Sequence, residues 1–171
     1  MGTVHTRLVY EYELPLLQDI ERAAGTSFRD IGMPEIADDP PLPVAELARY
    51  QRAGTAWVIT DALDTPIAYL IGEVIDGNLH IEQVSVHPQH ARHGLGRRLI
   101  DHAAQHAQAH HLPALTLTAF THVPWNAPYY TRCGFRTLTI EELTPGLHAI
   151  RRKEAAYGLD KWARVCMRRD I

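Results

Sequence analysis

The chain has 171 residues, 46% hydrophobic and 22% charged, the size and composition of a single globular domain (1–171) able to bury its own core. Its formal net charge of -3 supplies no global positive field to hold nucleic acid by its phosphates, so neither DNA nor RNA is an expected partner. Cys133 and Cys166 are too few for a disulfide framework, residues 1–7 carry no apolar signal core, and no run reaches the roughly 18 apolar residues of a membrane span, which together fit a cytoplasmic protein without a membrane partner.

No repeat or low-complexity segment divides the chain, and the acidic, proline-rich stretch 38–43 reads as a loop. A short strand is expected over 6–10. Leu14, Leu17, Ile20, Ala24 and Phe28 recur at helical spacing and predict a helix over 13–29. A second helix over 44–52 is stopped by Gly54. Three strands follow, over 57–60, 67–75 and 79–86, the last two joined by a tight hairpin at Asp76-Gly77-Asn78.

After Pro88 the period changes: Leu95, Leu99, Ala103 and Ala107 mark a helix over 94–111, and Leu115-Thr116-Leu117-Thr118 is a strand. Strand, helix and strand in that order imply a parallel crossover. A short helix over 126–132 ends at Gly134, a strand starts at Phe135, a helix spans 144–157 and a last strand spans 163–168. The fold class is α/β (α+β), built on one sheet.

The turn Arg92-His93-Gly94-Leu95-Gly96-Arg97 opens the long helix. Helix amino termini present unpaired N–H groups and the positive end of the helix dipole, and glycines let an anion come close to that backbone. Arg92, Arg97 and Arg98 favour a multiply charged anion. The turn lacks the third glycine and the distant acid of a dinucleotide fingerprint, and the Gly-Lys-Ser/Thr of a P-loop. Alone, it also reads as an ordinary basic strand-to-helix loop.

Ile81-Glu82-Gln83-Val84-Ser85-Val86-His87-Pro88, the glycine turn, and Asn126-Ala127-Pro128-Tyr129-Tyr130-Thr131-Arg132-Cys133-Gly134-Phe135 together resemble the GNAT acetyltransferase superfamily, over roughly residues 55–138. The resemblance implies a mostly antiparallel sheet with one parallel crossover and helices on both faces. It implies acetyl-CoA as cosubstrate, with contacts at Val84, Ser85 and Val86, at Arg92, His93, Gly94, Leu95, Gly96 and Arg97, and at Asn126 and Tyr130. Ala91 stands where the family commonly has Gln or Arg, which removes a side-chain contact there and leaves the backbone cradle intact.

An amine attacks a thioester only when neutral, so a base must take its proton, and the leaving thiolate needs an acid beside it. Tyr130 matches the position where the family often places that acid; as a core tyrosine it would need no such role. His80 and Glu82 lie two apart on one strand and share a face, in line with Val84 unless a bulge intervenes. The arylalkylamine branch of the family carries two histidines at the positions that match His80 and Glu82, and other branches a glutamate on this strand. Glu82 is the first choice for the base and His80 the second, against a solvated or Arg-paired carboxylate.

His102, His106 and His110 sit four apart, but no further ligand is evident, and His106 and His110 fall in the helix's apolar stripe, so no metal site is expected. Cys133 reads as a small buried thiol. In the resembling family the segment 28–43 forms one wall of the acceptor site, and Asp30, Glu35, Asp38 and Asp39 beside Phe28, Ile31 and Met33 would suit a cationic amine there.

The expected activity is transfer of an acetyl group to an amine of a small molecule or peptide by direct attack. Two alternatives compete: a silent acyl-CoA-binding regulatory module, and an ATP-using transferase, which the missing Lys-Ser/Thr and magnesium-binding acid disfavour. The sequence leaves monomer and homodimer both open.

Overall fold

The computed structural model describes residues 2–171; Met1, where the segment read for an export signal begins, lies outside the described residues. Seven strands form one sheet: β1 (His5–Leu8), β2 (Ala56–Thr60), β3 (Pro66–Ile75), β4 (Asn78–Val86), β5 (Ala114–Phe120), β6 (Arg136–Thr137) and β7 (Arg164–Asp170). Their order is β1-β2-β3-β4-β5-β7-β6, mostly antiparallel, with β4 and β5 parallel as the crossover requires. The helices are α1 (Leu14–Gly25), α2 (Pro34–Ala37), α3 (Val44–Arg52), α4 (Leu95–Ala109), α5 (Ala127–Arg132) and α6 (Pro145–Ala156). No helix among the described residues is long and apolar enough to cross a membrane.

The chain gathers into two compact units. The first runs up to Gly72 and takes in Gln83–His102; the second comprises Glu73–Glu82 and Ala103–Ile171.

In the first unit, β1, β2 and β3 pair antiparallel. Leu14, Leu17 and Ile20 of α1 and Leu47, Ala48 and Tyr50 of α3 bury the apolar stripes of their helices against Ala56, Val58, Tyr69 and Ile71. Just before α1, the buried Glu13 carboxylate accepts from Arg7 through both oxygens (2.9 and 2.8 Å) and from the Tyr10 N–H (2.9 Å). Burial alone would raise this carboxyl; the Arg7 and Tyr10 bonds hold it below its usual range.

In the second unit, β5 and β7 pair along seven residues, from Ala114 opposite Asp170 to Phe120 opposite Arg164. The β3–β4 hairpin turns on Asp76 and Gly77, both at positive φ (52° and 80°), the conformation a two-residue hairpin needs. Asp76 then accepts the Gly146 N–H (2.8 Å) in the first turn of α6, meeting one of the donors a helix start leaves open.

Two expectations are corrected. The helix over 13–29 ends at Gly25, and the chain tightens into a 3-10 segment, Thr26–Ile31, closed by Gly32 at φ 77°. Between that turn and the 38–43 loop, which is present, the short helix α2 forms, Pro34 being tolerated in a first helical turn. The strand expected from Phe135 is only Arg136–Thr137, since Phe135 is buried and the chain soon enters a 3-10 turn at Ile140–Glu142.

Candidate active site

In the first unit, β4 ends at Val86 and a 3-10 turn, Pro88–His90, leads to the glycine turn. Arg92 (φ 65°) and Gly94 (φ 74°) both adopt left-handed backbone, and the Gly94 carbonyl accepts the Arg98 N–H (3.0 Å) as α4 begins. Nothing lies within 4 Å of where a Cβ on Gly94 would stand. Arg92, His93 and Arg97 are exposed, while Leu95 and Gly96 are buried in the helix. An open, side-chain-free helix start fringed by arginines fits a pyrophosphate.

Upstream of the turn, Ser85 is buried and its hydroxyl accepts from Gln83 Nε2 (2.8 Å), with Val84 and Val86 half-buried. The bulge left open by the sequence is present. An unbroken ladder counted from the hairpin would put Ile67 opposite Val86, yet the His87 N–H donates to the Ile67 carbonyl (2.9 Å). β4 therefore carries one residue more than β3 over this span.

The candidate acid and bases belong to the second unit. His80 is 1% exposed, and its Nδ1 lies 2.9 Å from Thr116 Oγ1. Burial pushes its imidazole down to about 4, with Glu154 pulling the other way. Glu82 is exposed on the same strand. Tyr130 is buried in α5 and packs edge-on against Phe135 (6.0 Å between ring centroids) and Tyr129 (5.6 Å). Burial raises its phenol well above the usual value, and Arg164 acts to lower it.

Asn126 stands at the amino end of α5, where its Oδ1 accepts the Phe120 N–H (2.9 Å) at the end of β5. That bond ties Tyr130's helix to the strand. Cys133 is buried, as a small core thiol.

The helical histidines separate. His102 packs edge-on to Trp57 (5.7 Å), whereas His106 stacks on His110 at 4.1 Å. His110 is exposed, so membership of the apolar stripe does not account for it: the stripe reaches solvent at the carboxyl end of α4.

A half-buried polar network beside these groups was not read from the sequence. Thr118 Oγ1 donates to Glu154 Oε2 (2.6 Å) and accepts from Arg164 (2.9 Å), and Arg164 also donates to Glu154 (3.0 Å). Arg151 joins Glu154 (2.7 Å) to Asp160 (2.5 Å). Thr118, Glu154 and Arg164 come from β5, α6 and β7, Asp160 lies in the 3-10 turn Leu159–Lys161 after α6, and Arg151–Glu154 is a local pair three residues apart.

Residues 17–135 match the model of the Acetyltransferase (GNAT) family. The fold resembles the PaiA N-acetyltransferase of Thermoplasma acidophilum, solved with coenzyme A, at 11% identity and TM-score 0.66, covering 99% of each chain. It also resembles the ribosomal-protein-S18-alanine N-acetyltransferase of Escherichia coli, at 19% identity and TM-score 0.68, covering 99% of this chain and 94% of that one. A Mycobacterium tuberculosis protein solved in complex with CoA matches at 15% identity and TM-score 0.69, over 98% and 99%. With the family matched over most of its length, the chain belongs to the GNAT acetyltransferases, enzymes that draw their acetyl group from acetyl-CoA.

Proposed function

We propose that residues 1–171 act as one N-acetyltransferase domain that moves the acetyl group of acetyl-CoA to an amine of a small molecule or peptide by direct attack. The observation that carries the reading is the α4 helix start, where Gly94 stands at positive φ in open space among Arg92, His93 and Arg97. In this reading the N–H groups from Arg92 to Arg97 hold the pyrophosphate, and the backbone of Val84, Ser85 and Val86 binds the pantetheine arm. Asn126 contributes through its amide N–H groups, since its Oδ1 is already engaged.

Acetyl-CoA supplies an activated thioester. Glu82 or His80 takes the proton of the acceptor ammonium so that its nitrogen can attack the carbonyl carbon. Glu82 is exposed and meets an incoming ammonium directly, whereas His80 stays neutral at pH 7 and accepts a proton only when one is delivered to it. As the carbon–sulfur bond breaks, Tyr130 gives its O–H proton to the thiolate and regains one from the attacking nitrogen, which loses it as the amide forms. A phenol raised by burial keeps its own proton in the resting enzyme and serves first as a hydrogen-bond donor.

The acceptor is proposed to be cationic, received by the acidic segment around Asp30, Glu35, Asp38 and Asp39, in which Arg29 pairs with Asp38. The E. coli enzyme named above makes a peptide amine the second class to test. Incubation with acetyl-CoA and separate pools of arylalkylamines, polyamines and amino-terminal peptides, read by product mass, decides between them. Acetylation confined to neutral amines or peptides rejects the cationic small-molecule acceptor. Tight acetyl-CoA binding without transfer to any pool identifies a silent binding module instead.

A further inference from the structure

Glu154 of α6 and Arg164 of β7 are 16% and 7% exposed and form a direct ion pair with Thr118 of β5 bonded to both. Thr116, two residues before Thr118 and on the same face of the strand, holds His80. On the other side, Arg164 lies over the Phe120 ring (4.2 Å to its centroid). The Phe120 N–H is held by Asn126 at the start of Tyr130's helix. β5 therefore ties one pair of opposite charges to both candidate reaction groups.

We propose that the half-buried Glu154–Arg164 pair is a positioning element of the reaction centre, its carboxylate serving the base side at His80 and its guanidinium the acid side at Tyr130. The proposal rests on the reading of His80 and Tyr130 as reaction groups. A negative charge beside an imidazole strengthens it as a proton acceptor, and a positive charge beside a phenol strengthens it as a donor, so the pair is oriented to help both. Both electrostatic influences carry these signs.

Around His80 stand Thr116, Glu154 and, on its own strand, Glu82. Around Glu154 stand Arg151, with Asp160 beyond it, and Thr118, Arg164 and Cys166. Around Tyr130 stand Tyr129, Cys133 and Arg164. Burial alone would raise the Glu154 carboxyl, but Arg164, Thr118 and Arg151 hold it below its usual range, so it is ionised when the enzyme works.

The test follows the His80 imidazole resonances by NMR titration in the whole protein. Arg164→Met unscreens Glu154 and should raise the His80 midpoint by about one pH unit, a tenfold change in proton affinity. Glu154→Gln should lower it, and the double variant, which leaves no unpaired buried charge if a single change prevents folding, should follow Glu154→Gln. In acetyl transfer, kcat should fall about tenfold in Arg164→Met with the KM for acetyl-CoA unchanged, and Arg164→Lys should restore it. An unmoved His80 midpoint in every folded variant overturns the inference. Undiminished transfer in His80→Ala and Tyr130→Phe would instead remove the assignment it rests on, while the titration still reports on the pair.

Discussion

His80 and Thr116 are register partners in the parallel β4–β5 pair, and their side chains meet at 2.9 Å between Nδ1 and Oγ1. The contact fixes a buried imidazole whose folded pKa, about 4, lies below the ordinary 6.5. Between those values the unfolded chain binds a proton that the native protein does not, so His80 costs stability as pH falls through this window and costs none above it. Unfolding in urea should show wild type losing about 2 kcal/mol from this source between pH 7 and pH 5. His80→Asn should flatten that slope; equal slopes in the two proteins would contradict the assignment.

Tyr130 is proposed as the acid. Tyr130→Phe keeps the ring contacts with Phe135 and Tyr129 and removes only the O–H. We expect kcat to drop about a hundredfold, in the range of a lost general acid, with the KM for acetyl-CoA within about twofold of wild type. Steady-state CoA release measures both, and an unchanged kcat removes Tyr130 from the chemistry.

The glycine turn should control cofactor affinity. At φ 74° a β-branched side chain is strained and would occupy the open space over the helix start. Gly94→Val should raise the KM for acetyl-CoA more than about tenfold, with a smaller effect on kcat at saturation. Calorimetric binding of CoA gives an independent reading, and undiminished affinity would place the pyrophosphate elsewhere.

Gly146 makes a purely structural prediction. A Cβ there would stand 2.5 Å from Ile75 Cγ2 and 2.6 Å from Asp76 Oδ2, and neither atom ends a long flexible chain. Gly146→Ala must push α6 off the hairpin and should cost about 1–3 kcal/mol, visible as a lower Tm. A Tm equal to wild type would show that the contact relaxes freely.

Much of the fold was legible because its signals are local. The helix over 44–52 lies where it was expected, before Gly54, and Asp76-Gly77 gave the hairpin through residues that accept positive φ. The glycine turn was legible for the same reason. The bulge in β4 was left open: one extra residue in a strand leaves no mark on the apolar pattern, and the His87–Ile67 bond reveals it. Glu154 and Arg164 were missed because sheet register, not spacing, brings them to Thr118. Arg164 reaches it from one end of the β5–β7 ladder, and Glu154 from a helix 36 residues away. Asn126 was read as a cofactor contact, and its bond to Phe120 adds a structural duty that no motif announces.

The central claim is acetyl transfer from acetyl-CoA to an amine. Its most direct test is CoA thiol release from acetyl-CoA with and without a pool of primary amines and amino-terminal peptides. Release should depend on acceptor, saturate with acetyl-CoA and be matched mole for mole by an N-acetylated product. Saturable acetyl-CoA binding with no acceptor-dependent release would contradict it.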